Sequence, residues 1–153
     1  MNGSARMGVM AWQALLAAVL ALSCVAGGYE RTPERPTEPR IVKLGESFTL
    51  GMGEAARVED AEITVTFQEV SSDSRCPKDV NCIQAGEAVV VLALESAAGK
   101  KTLVELAVPP GGSSPAAAFE AFRVTVVELE PQTESTRSID PSGYVATVRL
   151  SSG

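Results

Sequence analysis

The sequence predicts an all-β domain over 41–153, an antiparallel β-sandwich, Ig-like or small-barrel-like, of about six to eight strands. Three observations carry this reading. Apolar and polar residues alternate at a period of two in one segment after another. Gly, Pro and Ser separate those segments, where tight turns need them. Almost nothing in 41–153 shows the three-to-four spacing of an amphipathic helix.

Ahead of the domain, residues 1–23 read as a lipoprotein signal peptide. Arg6 is their one charge, and an apolar run over 9–22 is broken only by Gln13. That run falls short of the ~20 apolar residues a membrane helix needs and fits the central region of an export signal. It ends Leu20-Ala21-Leu22-Ser23-Cys24, which resembles the lipobox of bacterial lipoproteins. In that motif the signal is cut before a cysteine that becomes diacylated. The resemblance makes Cys24 the lipidation site and the membrane a partner, and it places the exported chain in the cell envelope. The alternative is ordinary cleavage, for instance after Ala26, which would leave a periplasmic or secreted soluble protein. The three cysteines favour the anchor, because Cys24 is the odd one and an unpaired exported thiol calls for a use.

Residues 24–40 form the anchor and a tether. Pro33, Pro36 and Pro39 recur every third residue among Glu30, Arg31, Glu34, Arg35, Glu38 and Arg40. Such a composition favours extended polyproline chain and buries no core, so the tether reaches about 50 Å. A PxxP ligand is the alternative; a spacer is the simpler reading.

The strands follow in order. Phe48, Leu50 and Met52 alternate with Thr49 and Gly51, and Ile63, Val65 and Phe67 with Thr64, Thr66 and Gln68. The run 88–94 is continuously apolar and Val-rich, as expected of a central strand covered on both faces. Val104, Leu106 and Val108 alternate until Pro109-Pro110-Gly111-Gly112 stops them. The Ala-rich stretch 115–122 is expected to make one helical turn. Beyond it Phe122, Val124 and Val126 share a phase that Val127 and Leu129 then break, as a bulge would produce. Tyr144, Ala146, Val148 and Leu150 close the domain. A true immunoglobulin pattern of Cys-Trp-Cys is absent, since the one Trp is Trp12.

One segment carries chemistry beyond the strand pattern. Residues 72–88 hold Asp73, Arg75, Cys76, Pro77, Lys78, Asp79, Asn81, Cys82 and Gly86. In an exported protein Cys76 and Cys82 are expected to form a disulfide closing a short loop. Gly86 falls where a bend or close backbone approach would lead into the next strand. Asp73, Arg75, Lys78 and Asp79 make the loop a candidate binding surface for an envelope partner. Asp73 and Arg75 could equally clasp each other or the backbone. A calcium site from Asp73, Asp79 and Asn81 lacks EF-hand order, and a redox pair lacks CxxC spacing.

The run Asp73-Ser74-Arg75-Cys76-Pro77, then Val80 and Cys82, followed by Gly86-Glu87-Ala88, resembles a family of small bacterial exported proteins and lipoproteins without assigned activity. The likeness extends from about Phe48 to the 144–150 strand. It implies export and a disulfide and supplies no catalytic residues. This chain has Ile83-Gln84 where the family carries an aromatic two residues after the second cysteine.

Composition narrows the functional classes. With no His among 153 residues, Ser-His-Asp and Cys-His hydrolases and His-ligated metals are excluded, and no cofactor is expected. A net charge of −6 argues against nucleic acid as a partner. Carboxylate acid–base chemistry remains open, yet the acids are scattered without a visible pair. A Ser74–Lys78 dyad has only proximity in its favour. The expected function is therefore a non-catalytic binding or structural module. A protease inhibitor using the stapled loop is the first alternative, and a small carboxylate enzyme the second.

Overall fold

The computed structural model describes residues 38–153. The expected signal peptide, the lipidation site Cys24 and most of the tether lie outside those residues. No helix among the described residues is long and apolar enough to cross a membrane.

The described chain is all-β. Its strands are β1 (Arg40–Val42), β2 (Ser47–Gly51), β3 (Ala55–Val58), β4 (Ile63–Asp73), β5 (Ala88–Ser96), β6 (Lys101–Val108), β7 (Ala117–Phe119), β8 (Phe122–Glu130) and β9 (Val145–Ser152). Two short 3-10 turns, Glu59–Ala61 and Pro141–Gly143, are the only helical backbone among the described residues. The strands form a five-stranded sheet in the order β1-β3-β4-β5-β6 and a four-stranded sheet in the order β2-β9-β8-β7. Pairing is antiparallel except between β1 and β3, which run parallel.

The period-two alternation determines which side chains meet between the sheets. Ile63, Val65 and Phe67 of β4 are buried, while Thr64 and Thr66 between them stay half-exposed. Ala146, Val148 and Leu150 of β9 face them from the other sheet, with Val124 and Val126 of β8. The phase slip in β8 is a register shift between Val126 and Glu128, which carries Leu129 back to the buried face. Phe67 is among the largest fully buried side chains, and cutting such a residue to Ala costs about 3–5 kcal/mol.

Three expectations change. The stretch 115–122 makes no helical turn. It holds β7, whose Ala117, Ala118 and Phe119 pair with Val124, Arg123 and Phe122, and Phe119 is buried in the core. Alanine by itself favours helix, but pairing with β8 and the burial of Phe119 override that preference. The second change is in β5, which occupies an interior place in its sheet but has the other sheet over one face only. Ala88, Val90, Leu92 and Leu94 are fully buried inward, whereas outward Val91 is buried and Val89 and Ala93 are half-buried. Finally, the sheet begins one residue before the expected boundary, with Arg40 in β1.

Candidate functional site

The chemistry-bearing segment lies at the end of the sandwich where β4 runs out and β5 begins. β4 carries register shifts between Phe67 and Glu69 and between Val70 and Ser72 before ending in the pair Asp73–Ala88. Ser74 closes the loop on itself. Its N–H donates to the Glu87 carbonyl at 2.9 Å, and its Oγ accepts from the Glu87 N–H at 3.2 Å. Gly86 is pressed against this clasp, since a Cβ built on it would stand 1.7 Å from the Ser74 carbonyl oxygen. The close-approach reading of Gly86 therefore holds.

Arg75 turns inward and is only 5% exposed. Its Nε and Nη2 grip the Asp73 carboxylate at 2.9 and 2.7 Å. Nη1 donates to the Leu129 carbonyl at 2.7 Å and Nη2 to the Pro131 carbonyl at 2.8 Å, just past the cis Glu130–Pro131 bond. Asp73 also accepts from the Arg75 backbone N–H at 3.1 Å and the Tyr144 hydroxyl at 3.0 Å. One buried ion pair thus joins the end of β4 in the first sheet to β8 and the approach to β9 in the second. Burial alone would raise the Asp73 pKa. The hydrogen bonds from the Arg75 side chain and backbone and from Tyr144, with the guanidinium charge, outweigh it and hold the carboxyl below its usual range. Burial raises the Tyr144 phenol above its ordinary value, and its hydrogen bond to Asp73 adds to that shift.

The rest of the loop docks on the β8–β9 connection. The Lys78 N–H donates to the Thr133 carbonyl at 3.0 Å, and Thr133 Oγ1 returns a bond to the Arg75 carbonyl at 3.0 Å. Lys78 Nζ pairs with Glu134 at 2.7 Å, which raises its pKa. Asp79 accepts from the Ser135 N–H at 2.9 Å and from the Ser135 hydroxyl, and both bonds lower its pKa. Beyond this docked base a disulfide joins Cys76 and Cys82 across a Cα–Cα distance of 5.9 Å. The tip projects into solvent, with Val80 exposed and Ile83 fully so.

The four candidate binding residues therefore divide. Asp73 and Arg75 form the clasp weighed as their alternative role, and their charges are spent inside. Lys78 and Asp79 lie on the surface but are engaged with Glu134 and Ser135. Beside them is a groove of about 730 Å³ lined by Lys78, Glu134 and Arg137 together with Glu130, Ile139 and Val145. No strand pattern signals that groove, because most of its wall is the irregular β8–β9 connection, closed by Lys78 from the stapled loop. Asp73 and Asp79 direct their oxygens to different partners, which leaves the calcium reading without a shared centre. Ser74 and Lys78 likewise bond elsewhere, to Glu87 and Glu134. Among the described residues no group of three His, Cys, Asp or Glu is placed to hold a metal ion.

Compared with known protein families, curated proteins and solved structures, the chain matches none. What the fold and the site define is a β-sandwich with a disulfide-stapled loop clamped across one end.

Proposed function

We propose that this protein is an exported, lipid-anchored module of the cell envelope that binds a protein partner through the stapled loop and performs no catalysis. The observation that carries the reading is the division of the loop into a buried base and a bare tip. Arg75 fixes the base to both sheets, while Val80 and Ile83 stand in water. A rigid loop offering apolar side chains loses little conformational entropy on binding, which favours recognition. The disulfide supports residence in an oxidising compartment, and the Leu22-Ser23-Cys24 motif supports the anchor.

Labelling cells with a palmitate analogue tests the anchor: the wild-type chain should take up label and Cys24→Ala should not. Equal labelling of both would refute lipidation. A benzophenone photocrosslinker in place of Ile83 tests the binding surface. It should give one discrete adduct in the envelope, while the same probe at Lys100, at the other end of the sandwich, gives none. Identical patterns at both positions would defeat the assignment.

A second reading, inhibition of secreted proteases, draws on the same projecting tip. It requires that a protease be blocked by the wild type and released by Ile83→Asp.

A further inference from the structure

Strand β6 is the outermost of the five-stranded sheet and pairs only with β5. That pairing runs from Glu95–Lys101 to Ala88–Val108 without a register shift. No hydrogen bond among the described residues reaches the backbone groups along its outer edge. Sheets normally protect such an edge with charged side chains, proline, a bulge, a very short strand or a covering segment. β6 is eight residues long, regular and free of proline, and its exposed charges are one of each sign, Lys101 and Glu105. They repel a strand of one sign but leave the backbone a template for a strand whose charges are complementary.

The side chains indicate which strand fits. Lys101, Leu103 and Glu105 all point to the solvent face of the sheet, and Leu103 is 66% exposed. Thr102, Val104 and Leu106 turn toward the core. This spacing is self-complementary. We propose that β6 pairs antiparallel with β6 of a second copy of the chain, across a two-fold axis at Leu103. In that register Lys101 stands opposite Glu105 of the partner subunit, Leu103 opposite its own copy, and Glu105 opposite Lys101 of the partner subunit. Moving the axis by one residue either way sets Leu103 against a charge and separates Lys101 from Glu105. Unlike charges directly opposite on a sheet face stabilise the pair, and like charges oppose it. The Glu95 contact of Lys101, 3.0 Å between two exposed side chains, is a surface pair that can be shared at little cost. The two five-stranded sheets then continue into one.

The full chain in a non-ionic detergent should sediment as a monomer–dimer equilibrium. Edge pairing buries little area, so weak association is expected. Glu105→Lys should raise the dimer dissociation constant about tenfold. Adding Lys101→Glu to it should restore the wild-type value, because the two charges have only changed places. Leu103→Cys should give a disulfide-linked homodimer on a non-reducing gel, whereas Gln68→Cys, exposed on β4 in the same sheet, should not. The proposal is overturned if the wild type stays monomeric at hundreds of micromolar, if the double exchange is as weak as Glu105→Lys alone, or if Leu103→Cys captures another protein in place of its own copy.

Discussion

Arg75 and Leu129, 54 positions apart, are joined by a 2.7 Å hydrogen bond from a guanidinium nitrogen to a backbone carbonyl, and that bond ties one sheet to the other. The same guanidinium holds Asp73 bidentately at the end of β4. A planar fork that bonds a carboxylate and two carbonyls together is a geometry an ammonium cannot reproduce. Arg75→Leu leaves the Asp73 carboxylate buried without its countercharge and the Leu129 and Pro131 carbonyls without donors. The expected loss is about 3–5 kcal/mol in urea unfolding. Arg75→Lys should recover only part of it. A loss below about 1 kcal/mol would mean that the clasp is ornamental.

The clasp also fixes a pH dependence. Asp73 titrates lower in the fold than in the unfolded chain, once burial is outweighed by its bonds to Arg75 and Tyr144. A depressed carboxyl pKa contributes stability that is present above the unfolded value and lost as pH falls through the folded one. The midpoint of urea unfolding should therefore hold steady down to about pH 4 and fall below it. Asp79 and Asp140 shift the same way through bonds to Ser135 and Ser142, so Asp73→Asn should reduce the acid slope without abolishing it. Tyr144 acts at the other limit: its phenol is raised, so its contribution is present below about pH 10 and lost as pH rises through the folded value. An acid slope unchanged in Asp73→Asn would remove Asp73 from this account.

Legibility followed the physics of each element. β4, β8 and β9 were plain in the sequence because one face of each is buried and the apolar set recurs every second residue. Even the bulge in β8 was visible, as the phase change between Val126 and Leu129. β3 was not, because its buried Ala56 is too small to register as apolar signal and only Val58 marks the strand. β1 has three residues and follows proline and charge. In the site, the Asp73–Arg75 pair lies within reach of a local reading. The partners at Leu129 and Pro131 come from another sheet, and no spacing rule reports them.

Gly86 gives a test on the backbone. The obstacle to a side chain there is the Ser74 carbonyl, main chain already fixed by its neighbours' bonds to Glu87. A flexible side chain could swing away from a new methyl, but this carbonyl cannot. Gly86→Ala should therefore cost about 1–3 kcal/mol, the range for forcing atoms into filled space. Gly143→Ala, where nothing stands near a built Cβ, should stay within about 0.5 kcal/mol. Equal thermal shifts for the two would contradict the close approach at Gly86.

The disulfide divides the loop's stability from its order. Closing about seven residues restricts the unfolded chain by roughly 2.4 kcal/mol on loop-entropy arithmetic. Replacing Cys76 and Cys82 together with Ser should lower unfolding stability by about that amount. The base of the loop has its own attachments, because Arg75 bonds to Leu129 and Asp79 to Ser135 independently of the sulfurs. Amide exchange should then accelerate around Val80 and Ile83 while the Arg75 N–H, donated to Asp73, keeps its protection relative to global unfolding. If the Arg75 amide lost that relative protection as well, the disulfide and not the buried ion pair would be what holds the loop base in place.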